Sequence, residues 1–275
     1  MALRNARGRW SLLLIVFAAC TGEQTGQGVD AGQDANVEFD GGIDLGESLD
    51  AQGADAFAAD AAEDAASLAD ASMISGFGVI AGPCGRVAAE IDDPSPSYFA
   101  TRLDFMTDGF DDPAERTLLT SGAQEILADG TAGGSSGVSE AFAFEVLARC
   151  ENAEFVKSET EIIYDPVTSK KTDILVSIGG QRVGVSVTRA VGFPRTDPYT
   201  EANAAFIERK LTDILESSAN VVAADHWEKQ ILLVMAYSDM HASAIQSVWE
   251  SLSAETRADT ILYIVVTDGD DEAIY

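Results

Sequence analysis

The chain has 275 residues, 46% of them apolar, with 46 acidic against 17 basic side chains and a formal net charge of −29. It is too long and too apolar to stay wholly unfolded, and too acidic to read as an ordinary nucleic-acid binder. With only two histidines and three cysteines, a zinc finger or a histidine-rich metal site is excluded.

Residues 1–20 carry Arg4, Arg7 and Arg9, no acid, and an apolar run over residues 10–19. A run of about ten apolar residues is half of what a spanning helix needs, so this is read as an export signal. Phe17-Ala18-Ala19-Cys20 resembles a bacterial lipobox. The resemblance implies removal of residues 1–19, attachment of a diacylglyceryl group to Cys20 and further acylation with palmitate-type chains. An anchor of several chains is stable where a single one is marginal. Thr21 after the cysteine implies the outer membrane as the destination within the cell envelope.

Residues 20–74 are predicted to be a disordered, self-repelling tether. Between residues 21 and 74 there are 13 acids and no lysine or arginine, amid Gly, Ala, Gln and Ser. Such a segment buries too little apolar surface to offset its ordering entropy. Residues 75–275 form the expected globular domain, with 33 acids against 14 bases. A chain of this length buries about 70% of its unfolded surface in one core. Cys84 and Cys150 are an even pair in an exported domain, readable either as a disulfide or as two buried thiols.

Asp112-Pro113-Ala114-Glu115 starts a helix that Gly130 ends: N-cap, proline at the first helical position, and glutamate three residues after the cap. A second helix is predicted over 138–150, capped by Ser139, with Phe142, Val146, Leu147 and Cys150 on its core face. Strands follow at 155–164, 173–178 and 182–189, the last two joined by Gly179-Gly180. A Pro/Asp-rich loop leads to a helix over 200–217, a strand at 231–237, a helix at 242–252 and a strand at 260–267. Strands alternating with helices imply right-handed crossovers and parallel pairing. The expected class is therefore α/β: one mixed sheet with an antiparallel hairpin and parallel strands, flanked by helices.

The chemistry-bearing residues on this frame are Glu140 on the second helix, Asp173 opening the second strand, and Val185-Ser186-Val187-Thr188 in the third. Over 138–267 this order resembles the PD-(D/E)XK nuclease-like superfamily, with its restriction-endonuclease-like core. The resemblance implies two carboxylates that hold Mg²⁺ and a lysine that orients water and stabilises charge. Where that family has Glu-x-Lys, this chain has Ser186-Val187-Thr188, so a ligand and a cation are missing.

Substitutes exist in Glu161 on the first strand and Lys210 on the following helix. Glu140, Glu161 and Asp173 would then be metal ligands and Lys210 the water-orienting group. Arg189 is a second cation, on the strand face opposite Ser186 and Thr188. Each also has a plainer role: Glu140 as a first-turn acid, Asp173 as a turn residue, Lys210 as a solvated side chain.

Three readings follow. The first is a lipid-anchored envelope protein whose nuclease-like domain has lost the standard centre and serves as a binding or structural module. It needs no cofactor, and its partners are the membrane and an envelope protein. The second is an active, Mg²⁺-dependent nuclease with a migrated site. The third is an acidic adhesion or assembly component. Nucleic acid is disfavoured as a partner because phosphate binding relies on Lys and Arg, and the one dense basic cluster, Lys170-Lys171 with Arg182, is small.

Overall fold

A strand buried on both faces reads as an unbroken apolar run and lies in the middle of a helix-covered sheet. The runs at 231–236 and 261–266 are of this kind. In the computed structural model, which describes residues 72–74, 77–107, 109–131, 136–195 and 197–275, they are the two central strands of an eight-stranded sheet. The signal, Cys20 and residues 20–71 of the expected tether lie outside the described residues. Among the described residues no helix is long and apolar enough to cross a membrane.

The strands are β1 (Ser72–Ile74), β2 (Gly78–Ala81), β3 (Ser97–Asp104), β4 (Glu154–Ser158), β5 (Ile174–Ile178), β6 (Gln181–Ala190), β7 (Lys229–Ala236) and β8 (Thr260–Asp268). The helices are α1 (Val87–Glu90), α2 (Ser121–Asp129), α3 (Gly137–Glu151), α4 (Glu201–Ala204), α5 (Phe206–Asn220), α6 (Asp239–Ser251) and α7 (Ala254–Arg257), with 3₁₀ turns at Pro113–Leu118 and Glu272–Ile274. The sheet order is β1-β2-β3-β8-β7-β6-β5-β4. Pairing is parallel from β3 through β8 and β7 to β6, and antiparallel at both flanks. The protein is therefore α/β with a mixed sheet, as its element order implies.

Period-two alternation divides the core. Ile231, Leu233 and Met235 of β7 and Ile261, Tyr263 and Val265 of β8 face Phe142, Val146 and Leu147 of α3. Leu232, Val234, Leu262 and Ile264 face Ile207, Leu211 and Ile214 of α5 and Ile245 and Trp249 of α6. The hairpin between β5 and β6 turns on Gly179 and Gly180, whose φ values of 61° and 83° are those a two-residue type I′ turn requires. A disulfide joins Cys84 to Cys150, with their Cα atoms 4.7 Å apart, and ties the loop after β2 to the end of α3.

The elements depart from expectation where a tertiary contact overrides local pattern. The helix expected over 112–130 starts as predicted, with Asp112 accepting from Ala114 N–H at 2.8 Å and Glu115 accepting from Asp112 N–H at 3.1 Å. It stops at Leu118, because buried Glu145 of α3 takes the Thr120 N–H at 3.0 Å and its hydroxyl at 2.7 Å. Thr120 thereby becomes the cap of a new helix, α2. Helix α3 begins at Gly137, and Ser139 is not its cap; its hydroxyl donates to the Ser136 carbonyl inside the first turn. The helix expected over 200–217 breaks at Ala205 into α4 and α5. Three strands, β1 to β3, precede the first helix or strand predicted for the globular domain, and β1 falls inside the expected tether.

Candidate functional site

The first strand of the predicted hairpin region ends early, and this shapes the site. β4 stops at Ser158 rather than running to residue 164, because Glu161 turns the chain: its N–H donates to the Ser158 carbonyl and its carboxylate accepts from the Ser158 N–H at 3.1 Å. The last ladder pair between β4 and β5 is Ser158 with Ile174. Glu159 follows the last residue of this ladder on one strand, and Asp173 precedes it on the other.

β6 runs on past the end of β5. Its residue Val185 pairs with Ile174, and Ser186 to Ala190 pair only with β7. Asp173 closes this open edge: its N–H donates to the Val185 carbonyl at 3.1 Å, and its Oδ2 accepts from the Val187 N–H at 2.6 Å. Glu140, in the first turn of α3, is 3% exposed at the same end of the sheet. Lys210 lies on α5.

The electrostatics tie these groups together. Burial, chiefly, and the charge of Glu140 push the Asp173 carboxyl up to about 7, against the opposing Val187 N–H and Lys210. Burial likewise raises Glu140, opposed by a hydrogen bond with Ser136 and by the cations Lys210 and Arg189. The charge of Glu159 raises both acids. The negative charge of Glu140 thus adds to burial in disfavouring the charged form of Asp173, while burial is the main cause at Glu140.

Of the predicted residues, the fold brings Glu140, Asp173 and Lys210 into one field, while Glu161 is engaged elsewhere. Its carboxylate joins the exposed Glu125 and Asp129 of α2, the three offering oxygens within 4.8 Å of one another. The acid that acts on the pair is Glu159, which sequence reasoning missed because a strand drawn through to residue 164 hides where the ladder ends. Ser186 is buried and Thr188 half-buried, so neither supplies the missing charge. Arg189 follows the face of Val187, toward α3, which is how its charge reaches Glu140; its guanidinium donates to the Ile274 carbonyl at 3.0 Å.

The small basic cluster is engaged locally, with Lys170 paired to Asp213 at 3.1 Å and Arg182 donating to the Ala224 carbonyl. His241 is buried between Tyr199 and Tyr237, with Nδ1 2.8 Å from the Ser238 hydroxyl.

The class that fold and site define is a mixed-sheet α/β protein with two raised acids at one end of the sheet and a lysine on the following helix whose charge acts on both. No family model matches the chain, and no solved structure does. It is similar to the AAC-rich mRNA clone AAC4 protein of Dictyostelium discoideum, 38% identical over 154 residues, which is 54% of this chain and 22% of that protein. The chain thus spans well under two thirds of that relative's length.

Proposed function

We propose that residues 138–267 are a divergent PD-(D/E)XK-like domain with a rebuilt centre that hydrolyses a phosphodiester with Mg²⁺ or Mn²⁺. The observation that carries this reading is Asp173 on the open edge of β6, its carboxylate on the Val187 N–H and raised by the charge of Glu140, with Lys210 acting on both acids. The donor set is all carboxylate oxygen, which fits a hard divalent cation, and such an ion would offset the burial and the Glu140 charge that raise Asp173. When bound, the ion would polarise the phosphoryl oxygen and acidify a water. Lys210 would orient the attacking water and stabilise charge on the phosphoryl group, the role that the hydroxyl of Thr188 cannot fill.

The test is incubation of the full chain with single-stranded DNA, RNA and bis(p-nitrophenyl) phosphate, with Mg²⁺ or Mn²⁺. Metal-dependent cleavage is expected, falling on the order of 100-fold in Lys210→Met and below detection in Asp173→Ala. No cleavage by the wild type under any of these conditions would return the domain to a binding or structural module, the reading that Ser186 and the acidic surface favour.

The chain is further proposed to be exported and lipid-anchored through Cys20, on the envelope's outer membrane. The Cys84–Cys150 disulfide supports this reading, since such bonds persist in oxidising compartments. Cys20→Ala is expected to move the protein from the membrane fraction to the soluble one; retention in the membrane fraction would sink the anchor.

A further inference from the structure

The loop that ends in Asp173 is laced onto the helix that carries Lys210. Asp165 N–H donates to the Asn220 carbonyl at 2.9 Å and Val222 N–H to the Ile163 carbonyl at 3.0 Å. The Asn220 amide donates to the Ser169 hydroxyl at 3.1 Å, and Lys170 pairs with Asp213. At the centre of this seam are three buried hydroxyls.

Thr172 N–H donates to the Tyr164 oxygen at 2.9 Å, and the Thr172 and Ser217 hydroxyls lie 3.0 Å apart. Ser217 gives its one proton to the Ile214 carbonyl at 2.8 Å, so the shared bond runs from Thr172 to Ser217. Tyr164, Thr172 and Ser217 are all at most 4% exposed. Thr172 immediately precedes Asp173. Ser217, Ile214 and Lys210 fall on one face of α5, since steps of three and four residues align along a helix; Ser217 is about 10 Å along the axis from Lys210.

We infer that Tyr164, Thr172 and Ser217 are positioning residues: their hydrogen-bonded seam sets the rotation and height of α5 against the start of β5, and so the approach of Lys210 to Asp173. This rests on the rebuilt centre proposed above. The physical ground is that an apolar pair of the same shape would hold the two elements together about as well, because a buried hydrogen bond and its removal as a pair are nearly balanced. What the hydroxyls add is direction. An apolar contact lets a helix slide or turn by a fraction of an ångström, and a displacement of about 1 Å at a reacting group costs up to 100-fold in rate.

The experiment compares the full-length wild type with Thr172→Val/Ser217→Ala, Thr172→Ser and Tyr164→Phe. Three quantities are read: the urea midpoint, kcat and KM on bis(p-nitrophenyl) phosphate with Mn²⁺, and the yield of a short-spacer succinimidyl-diazirine photo-cross-link between Lys210 and Asp173 or Glu140 in peptide mass spectra.

The double variant is expected to keep its midpoint and KM, to lose about ten-fold in kcat, and to lose most of the cross-link. Tyr164→Phe moves kcat and the cross-link the same way, and Thr172→Ser restores both. A double variant with wild-type kcat and cross-link overturns the seam's role while leaving the hydrolase reading intact. Should the wild type cleave nothing, the cross-link decides alone: loss in the double variant supports the seam, and an unchanged yield overturns it.

Discussion

Asp173→Asn is expected to make the protein more stable at pH 8, by about 2 kcal/mol, and to leave it unchanged below pH 4. The folded-state carboxyl is raised to about 7, well above the 3.8 of an unperturbed aspartate. As pH rises from about 4 to about 7, the unfolded chain gives up this proton while the folded one keeps it. Folding then loses stability across that window and stays lowered above it. Linkage sets an upper bound of about 4 kcal/mol for such a shift.

Solvent at the half-exposed edge of the site and the amide's weaker acceptance from the Val187 N–H bring the figure down. The variant keeps the carbonyl that receives this N–H, so the comparison isolates the charge. Urea denaturation at pH 4, 6 and 8 provides the check, and a wild type as stable as the variant at pH 8 would show an ordinary aspartate. Adding Mn²⁺ at pH 8 should restore the wild type, by about 2.7 kcal/mol at a hundredfold excess over Kd, and should leave Asp173→Asn unmoved. A residue whose removal stabilises the fold is one the fold keeps for another reason.

Cys84→Ser/Cys150→Ser should lower stability by about 4 kcal/mol, the larger effect of the two. The bridge closes a loop with a sequence separation of 66, and the entropy it removes from the unfolded chain grows with that length. The contacts beside it depend on the same closure. Gly85 N–H donates to the Cys150 carbonyl at 2.8 Å, and Val87 N–H donates to Glu151 at 2.9 Å. Glu151 is buried, which raises its carboxyl, and the Tyr263 hydroxyl donates to its other oxygen at 3.2 Å. The bridge thus holds the lead-in to α1 against a carboxylate that burial disfavours. Urea curves with and without reductant would show the difference, and a loss under about 1 kcal/mol would mean that the packing around Val87 holds the loop unaided.

How much of this was legible in the amino-acid sequence depends on the range of the interaction. Faces and turns were: the unbroken runs of β7 and β8, the core face of α3, and the paired glycines of the hairpin follow from periods of two and 3.6 residues and from backbone sterics. Glu140, Asp173 and Lys210 could be nominated because each sits at a definable spot on such an element.

Other features were decided by contacts between residues far apart. Glu145 reaches across 25 residues to Thr120 and splits one expected helix in two. The pairing of β3 with β8 makes a strand of Ser97–Asp104, a segment whose exposure alternates too weakly to announce itself. That Cys84 meets Cys150, and that the charge of Glu159 rather than Glu161 acts on Asp173, are matters of ladder register and of where a strand stops. Register is set by which strands become neighbours, and a slip of one residue exchanges one face of the sheet for the other. Local pattern could therefore name the chemistry available at this end of the sheet, while only the assembled sheet selected which carboxylates share it.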